Sequence, residues 1–255
     1  MTRRVVVTGF GLVSPIGNNP EVFFNNLLNG VSGIKFDPEM ERYGLKCQVA
    51  GEPEISIQEE QIIQKYNAEK LSSAVKYTIL ALESAAKMAN IKLSNKFDTP
   101  LNEDLGIILG SLSGPVDLFH QFYEKYIKQG KIHKFRTLIA ETMMNSGVSS
   151  YLSGIAGAGG CVLSNSNACA SGTESIVLGY EKIKNGSLKQ AIVGGYEAKS
   201  MLSWSVYDSM RVLGSDSNFD PPKSSRPMNE VVDGYIPAAG AGILIIEDLE
   251  YALKR

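Results

Sequence analysis

The sequence predicts an α/β protein built on a mixed, mainly parallel sheet with helices on both faces. Short apolar runs rich in β-branched residues alternate with longer segments of helical periodicity, the mark of strand–helix–strand units. The runs themselves are continuously apolar, as strands buried on both faces should be. No linker, low-complexity tract or internal repeat divides the 255 residues.

The elements follow in order. Val5 to Thr8 reads as a buried strand closed by Gly9. Pro20 to Asn29 reads as a short helix stopped by Gly30, and Leu45 to Ser56 as loop with a possible strand. Ala68 to Asn90 carries the clearest helical spacing, through Leu71, Ala74, Val75, Thr78, Leu82, Ala85 and Met88. Leu105 to Leu109 is a second buried strand. Asp117 to Gln129 is a helix with Gly130 as its stop, and Glu141 to Ser153 a helix ended by Gly154. Cys161 to Asn165 is a short strand, Ala170 to Lys184 a helix stopped by Asn185-Gly186, and Gln190 to Val193 a strand. The Ser-, Asp- and Pro-rich stretch Ser215 to Ser225 is a surface loop. Gly242 to Glu247 is a final strand and Leu249 to Arg255 a short charged helix.

Bulk properties narrow the function classes. A hydrophobic fraction of 44%, a charged fraction of 20% and a formal net charge of -2 suit a globular protein and argue against a nucleic-acid partner. Cys47, Cys161 and Cys169 fit no disulfide framework and form no CxxC pair, so a reducing, cytoplasmic setting is expected. The apolar run Val5-Val6-Val7 is too short for a signal peptide, and no stretch is long enough to span a membrane.

The most informative stretch is Ser164-Asn165-Ser166-Asn167-Ala168-Cys169-Ala170-Ser171-Gly172-Thr173. A strand leads in, a helix leads out, and Cys169 stands at the turn. A thiol beside unpaired helix N–H groups and the positive end of a helix dipole is favoured as thiolate, the nucleophilic form. The small residues around it leave room for a substrate, which points to covalent acyl chemistry. The competing reading is a buried structural cysteine, the reading adopted for Cys47 and Cys161.

Other motifs fall away. Gly9-x-Gly11-x-x-Ser14 imitates a dinucleotide fingerprint, but Ser14 replaces the third glycine and Pro15 interrupts the helix that should receive a pyrophosphate. No Walker A or HExxH sequence occurs, so no cofactor or metal is expected. His120 and His133 sit in a helical pattern and a basic stretch, not in strand-end turns. That stretch, Lys131-Ile132-His133-Lys134-Phe135-Arg136, is either a solvated face or a dock for an acidic protein.

Taken together, several segments resemble the β-ketoacyl-acyl-carrier-protein synthases, most closely the elongating type. They are Arg4 to Gly17, Ala168-Cys169-Ala170-Ser171-Gly172-Thr173, Val193 to Ala198, Ser225-Arg226-Pro227, Asp233-Gly234-Tyr235 and Gly240-Ala241-Gly242. The resemblance implies a thiolase-like fold of two similar halves, of which residues 1–255 match the N-terminal one. It places two catalytic histidines, a lysine and a glycine-rich loop in the other half. It implies Cys169 as acyl acceptor, followed by decarboxylative Claisen condensation with malonyl carrier protein. It also implies a homodimer or heterodimer through the strand Cys161 to Asn165, and acyl carrier protein, bearing acyl and malonyl thioesters, as partner. Lys131, Lys134, Arg136 and Arg211 are the residues expected to meet that acidic partner. Departures from the pattern are Asn167 before Ala-Cys, Ala239 before Gly-Ala-Gly, Met228 and Asn229 after Arg-Pro, and Ser113 where elongating enzymes often carry an apolar gate. Asn167 and Ala239 keep open a second reading, a non-catalytic partner subunit of the chain-length-determining kind, against which Cys169 argues because that class generally lacks the cysteine.

Overall fold

The structure is a computed structural model that describes residues 3–95, 98, 100–131, 133, 144–216, 218–230 and 232–255. Five strands form the main sheet: β1 (Val5–Val13), β4 (Leu105–Gly110), β5 (Val162–Asn165), β6 (Gln190–Glu197) and β7 (Gly240–Asp248). Their order is β1-β7-β6-β4-β5. β4 runs parallel to β5 and β6, whereas β7 is antiparallel to both β6 and β1. β7 alone therefore opposes the common direction, and the sheet is mixed and mainly parallel. A separate pair joins β2 (Ile34–Phe36) to β3 (Val49–Gly51).

Side-chain alternation assigns each face. Ile107, Leu109, Ile192, Ile243 and Ile245 join the core under α4 (Ser73–Met88) and α6 (Ser146–Ala156). Their neighbours Ile108, Ala191, Val193 and Ile246 face α7 (Ser171–Lys184), with Ile183 and Leu188. A smaller core joins Met40, Cys47 and Val49 to Trp204 of α8 (Met201–Ser209).

β1 runs past Gly9, where the sequence closed it. A Cβ at Gly9 or Gly11 would strike the carbonyl oxygens of Ala85 or Ala81 on α4. These glycines bring helix and strand together rather than ending the strand. The same packing explains why the glycine pattern there is no nucleotide loop.

Helix starts and stops shift for local reasons. α4 begins at Ser73, not Ala68, because Asn67 takes φ +55° and the Ser72 hydroxyl accepts from the Ala74 N–H at 3.1 Å. α6 continues through Gly154 to Gly157, whose φ of +66° ends it. Residues 141–143 of that expected helix lie outside the described ones. The helix expected from Asp117 is α5 (Asp117–Phe122) followed by a π-helical turn, Tyr123–Ile127. Helices α1 (Pro20–Leu28) and α9 (Leu249–Ala252) stand near their expected bounds. The sequence reading lacked β2, α2 (Pro38–Arg42), α3 (Ile57–Lys65) and α8.

Candidate active site at the strand ends

β4, β5 and β6 end side by side, Gly110 opposite both Asn165 and Gly195. Ligands in open α/β sheets bind beyond such carboxyl ends. Glycines let the start of α7 press onto them. A Cβ on Gly195 would lie 3.0 Å from Gly172 Cα, and one on Gly110 would collide with the Ser171 carbonyl.

Cys169 stands in the tight turn between β5 and α7 and is exposed. Ala168 before it adopts φ +48°, a left-handed conformation that costs a non-glycine residue about 1–3 kcal/mol. Ser171 holds this turn. Its hydroxyl accepts from the Asn167 N–H at 2.8 Å and donates to the Ala168 carbonyl at 2.7 Å. No side chain caps α7, whose N-cap residue is Ala170. The first-turn N–H groups thus lack a side-chain partner, and the positive end of the helix dipole faces the turn.

Cys169 opens onto a cavity of about 740 Å³. Its walls are chiefly apolar, with Trp204, Tyr207 and Met210 from α8 and its end, and Leu213, Tyr235 and Pro237 from the loops. Glu197, at the end of β6, is the acid in this wall. Burial pushes its carboxyl above the usual range, against donors from Leu112, Ser111 and Ser113 that favour the carboxylate.

The other sequence candidates distribute unevenly. Arg211 is exposed and lies between Met210 and Val212, both on the cavity wall. Lys131 is exposed after the π-helical turn, where its Nζ donates to Gln129 Oε1 at 2.8 Å. Lys134 and Arg136 lie outside the described residues. Cys47 is buried and Cys161 half-buried, and burial raises both thiols. His133 is exposed and does not line the cavity. His120 falls in α5, as its helical neighbours suggested. The strand expected at Cys161 to Asn165 is β5, an edge strand with Val162 and Leu163 exposed.

Sequence reasoning missed Glu197, Ser203 and the whole wall supplied by α8. Ser200 was a legible signal, since its hydroxyl caps that helix through the Ser203 N–H at 3.3 Å. Among the described residues no cluster could hold a metal ion, and no helix is long and apolar enough to cross a membrane.

Residues 2–252 match the family model for the β-ketoacyl synthase N-terminal domain. The chain is 35% identical to 3-oxoacyl-[acyl-carrier-protein] synthase 1 of Buchnera aphidicola subsp. Schizaphis graminum, over 99% of this chain and 61% of that protein. It is 30% identical to the chloroplastic synthase I of Arabidopsis thaliana, over 99% of this chain and 53% of that protein. It thus spans about three-fifths or less of the curated relatives compared. Among solved structures, a β-ketoacyl synthase from Burkholderia phymatum STM815 superposes with a TM-score of 0.87 at 24% identity, covering 100% of this chain and 61% of the other. A ketosynthase complex, described as a type II PKS acyl-carrier protein with its ketosynthase bound to the hexaketide, gives 0.82 at 25% identity, covering 100% and 60%. The fold is thiolase-like, and the chain belongs to the β-ketoacyl synthase family, matching its N-terminal domain over residues 2–252.

Proposed function

We propose that this chain is the acyl-accepting part of a 3-oxoacyl-acyl-carrier-protein synthase and that Cys169 is its nucleophile. The observation that carries the proposal is an exposed cysteine at the uncapped start of a helix, opening onto a large apolar cavity. The thiolate attacks the thioester carbonyl of an acyl carrier protein and forms a new carbon–sulfur bond. The oxyanion of the tetrahedral intermediate takes a hydrogen bond from the Cys169 N–H. Collapse breaks the old carbon–sulfur bond, and the carrier thiolate leaves and takes up a proton. The acyl chain then rests against the walls built by Trp204, Tyr207 and Met210.

In the second half-reaction, malonyl carrier protein loses CO₂ and its carbanion attacks the acyl-cysteine. That step needs donors to an enolate, and each such donor is worth about 10²–10³ in rate. Among the described residues no histidine side chain lines the cavity. We assign acylation, and not condensation, to these 255 residues acting alone, as the family resemblance places the catalytic histidines in the other half. Arg211 and Lys131, with Lys134 and Arg136, meet the acidic carrier protein. β5 pairs across a dimer, either with a second copy or with a related subunit, and this covers its open edge. The setting is cytoplasmic, in keeping with three unpaired cysteines.

The test is intact-mass analysis after incubation with an acyl carrier protein thioester. One acyl group should appear on Cys169 and none on the Cys169→Ser variant. Adding malonyl carrier protein should give no 3-oxoacyl product. Acylation elsewhere, or none at all, sinks the nucleophile assignment. Turnover to product refutes the division of labour.

A further inference from the structure

The cavity beside Cys169 is chiefly apolar and carries one connected polar stretch. Ser111 and Ser113 follow β4, Glu197 ends β6 and Ser203 lies on α8, and all four line the cavity. They form a connected polar strip. Ser111 Oγ donates to Glu197 Oε1 at 2.9 Å, and the N–H groups of Leu112 and, at 3.4 Å, Ser113 donate to the same oxygen. Ser203 Oγ donates to Ser113 Oγ at 3.0 Å.

The members of this strip differ in what else they do. Ser111 has a structural duty, since its hydroxyl also accepts the Gly114 N–H at 2.8 Å and closes the loop. The Ser113 and Ser203 hydroxyls make no hydrogen bond to the backbone among the described residues, and each side chain is half-buried. The Ser111 hydroxyl and the Leu112 and Ser113 N–H groups all donate to one oxygen of Glu197, and the Ser113 side chain also favours its carboxylate. A carboxylate has about four lone-pair sites, so capacity is left at Oε2. A polymethylene chain filling this cavity would strip water from these groups and return nothing. An oxygen-bearing chain would replace the lost hydrogen bonds. Sites built to bond a substrate oxygen discriminate strongly against analogues that lack it.

Resting on the acyl-site reading above, we infer that the strip of Ser113, Ser203 and Glu197 makes the cavity selective for acyl chains that carry a hydroxyl or oxo group, over saturated hydrocarbon chains. Ser113 and Ser203 are the specificity-determining pair, able to donate to a carbonyl or accept from a hydroxyl. The raised carboxyl of Glu197 supplies a proton donor when neutral and a strong acceptor when ionised.

The test uses the whole chain and stable amide analogues of acyl-pantetheine. A saturated six-carbon acyl probe is compared with its 3-, 4- and 5-hydroxy and 3-, 4- and 5-oxo counterparts by calorimetric titration. At least one oxygenated probe should bind about tenfold tighter than the saturated one, the size of one well-made hydrogen bond. The double variant Ser113→Ala/Ser203→Ala should lose that preference and bind the saturated probe at least as tightly as the parent does, because no hydroxyl is then left to desolvate. Retained affinity for the saturated probe also reports that the variant is folded. Equal binding of all probes to the parent chain overturns the selectivity and leaves the acyl site standing, as does a preference that survives in the double variant. Failure of every probe to bind the parent chain overturns the acyl-site reading and the selectivity with it.

Discussion

The two faces of the central sheet are finished differently. Under α4 and α6 the apolar residues close completely, and Ile79, Ala81, Ile107 and Leu109 have 0% exposure. On the opposite face a single long helix, α7, covers the strands. There Val177 and Tyr180 on the helix remain 47% and 42% exposed, and Val7 on β1 remains 56% exposed. The strand residues beneath α7 are also buried, with Ile108, Ala191 and Val193 at 0%, so the open apolar surface lies on the outer side of the helix and at the β1 edge. Isolated exposed apolar residues are ordinary, and these three leave the α7 side less fully covered than the α4 side. Cys169 stands at the start of the helix on that open side. The closed face fixes the strand ends, and the open face carries the candidate chemistry.

The sharpest separation of the faces comes from truncating Ile79. The side chain is fully buried on α4. Ile79→Ala removes its contacts and leaves a cavity, at a cost of about 2–5 kcal/mol. Urea denaturation should show the midpoint falling with an unchanged slope. A loss below about 1 kcal/mol would mean that the closed face relaxes easily and is not the rigid half of the comparison.

The closed face was also the more legible in the sequence. Leu71 to Met88 repeats apolar residues at helical spacing, and Leu105 to Leu109 is a continuous apolar run, so periodicity alone identified α4 and β4. Gly9 and Gly11 misled, because a glycine reads as a turn unless the helix lying on it is known. The small elements outside the main sheet were harder. α2 and β2 are too short for periodicity and exist through partners distant in sequence, such as the Ala50–Lys35 pairing. α3 did leave a signal in Ser56-x-x-Glu59, whose side chains and backbone satisfy each other as a capping box. At the site, Cys169 stood out by its neighbours. Glu197 could not, since its environment is made by Ser111, Leu112 and Ser113 from another strand end.

An intermediate effect is expected where the open side meets the strand ends. Burial raises the folded-state affinity of Glu197 for its proton. The native chain therefore binds more protons than the unfolded chain at pH values above the ordinary glutamate range, near about 4.3. Stability contributed by this group falls as pH rises from there through the raised folded value, and levels off above it. Glu197→Gln removes that slope. Denaturation midpoints measured at steps between about pH 4 and pH 8 should converge at the acid end and separate upward, with the variant gaining relative to the parent. Parallel profiles would show that the surrounding donors cancel the burial and that Glu197 behaves as a solvated carboxylate.

The smallest effect is expected from Val177→Ala on α7, and it tests the comparison from the other side. In a helix alanine is favoured over valine by up to about 0.7 kcal/mol, because the branched side chain loses rotamer freedom against the preceding turn. The half-exposed valine gives up a comparable amount of partial burial. The two terms oppose each other, so the net change should lie within about 0.5 kcal/mol of zero. The measurement is the urea midpoint at low protein concentration, repeated at a concentration about a hundredfold higher. A cost matching that of Ile79→Ala, and growing with concentration, would show that copies of the chain cover this face in solution. The contrast between the faces would then belong to the monomer only, and β5 and α7 would lie at one continuous interface.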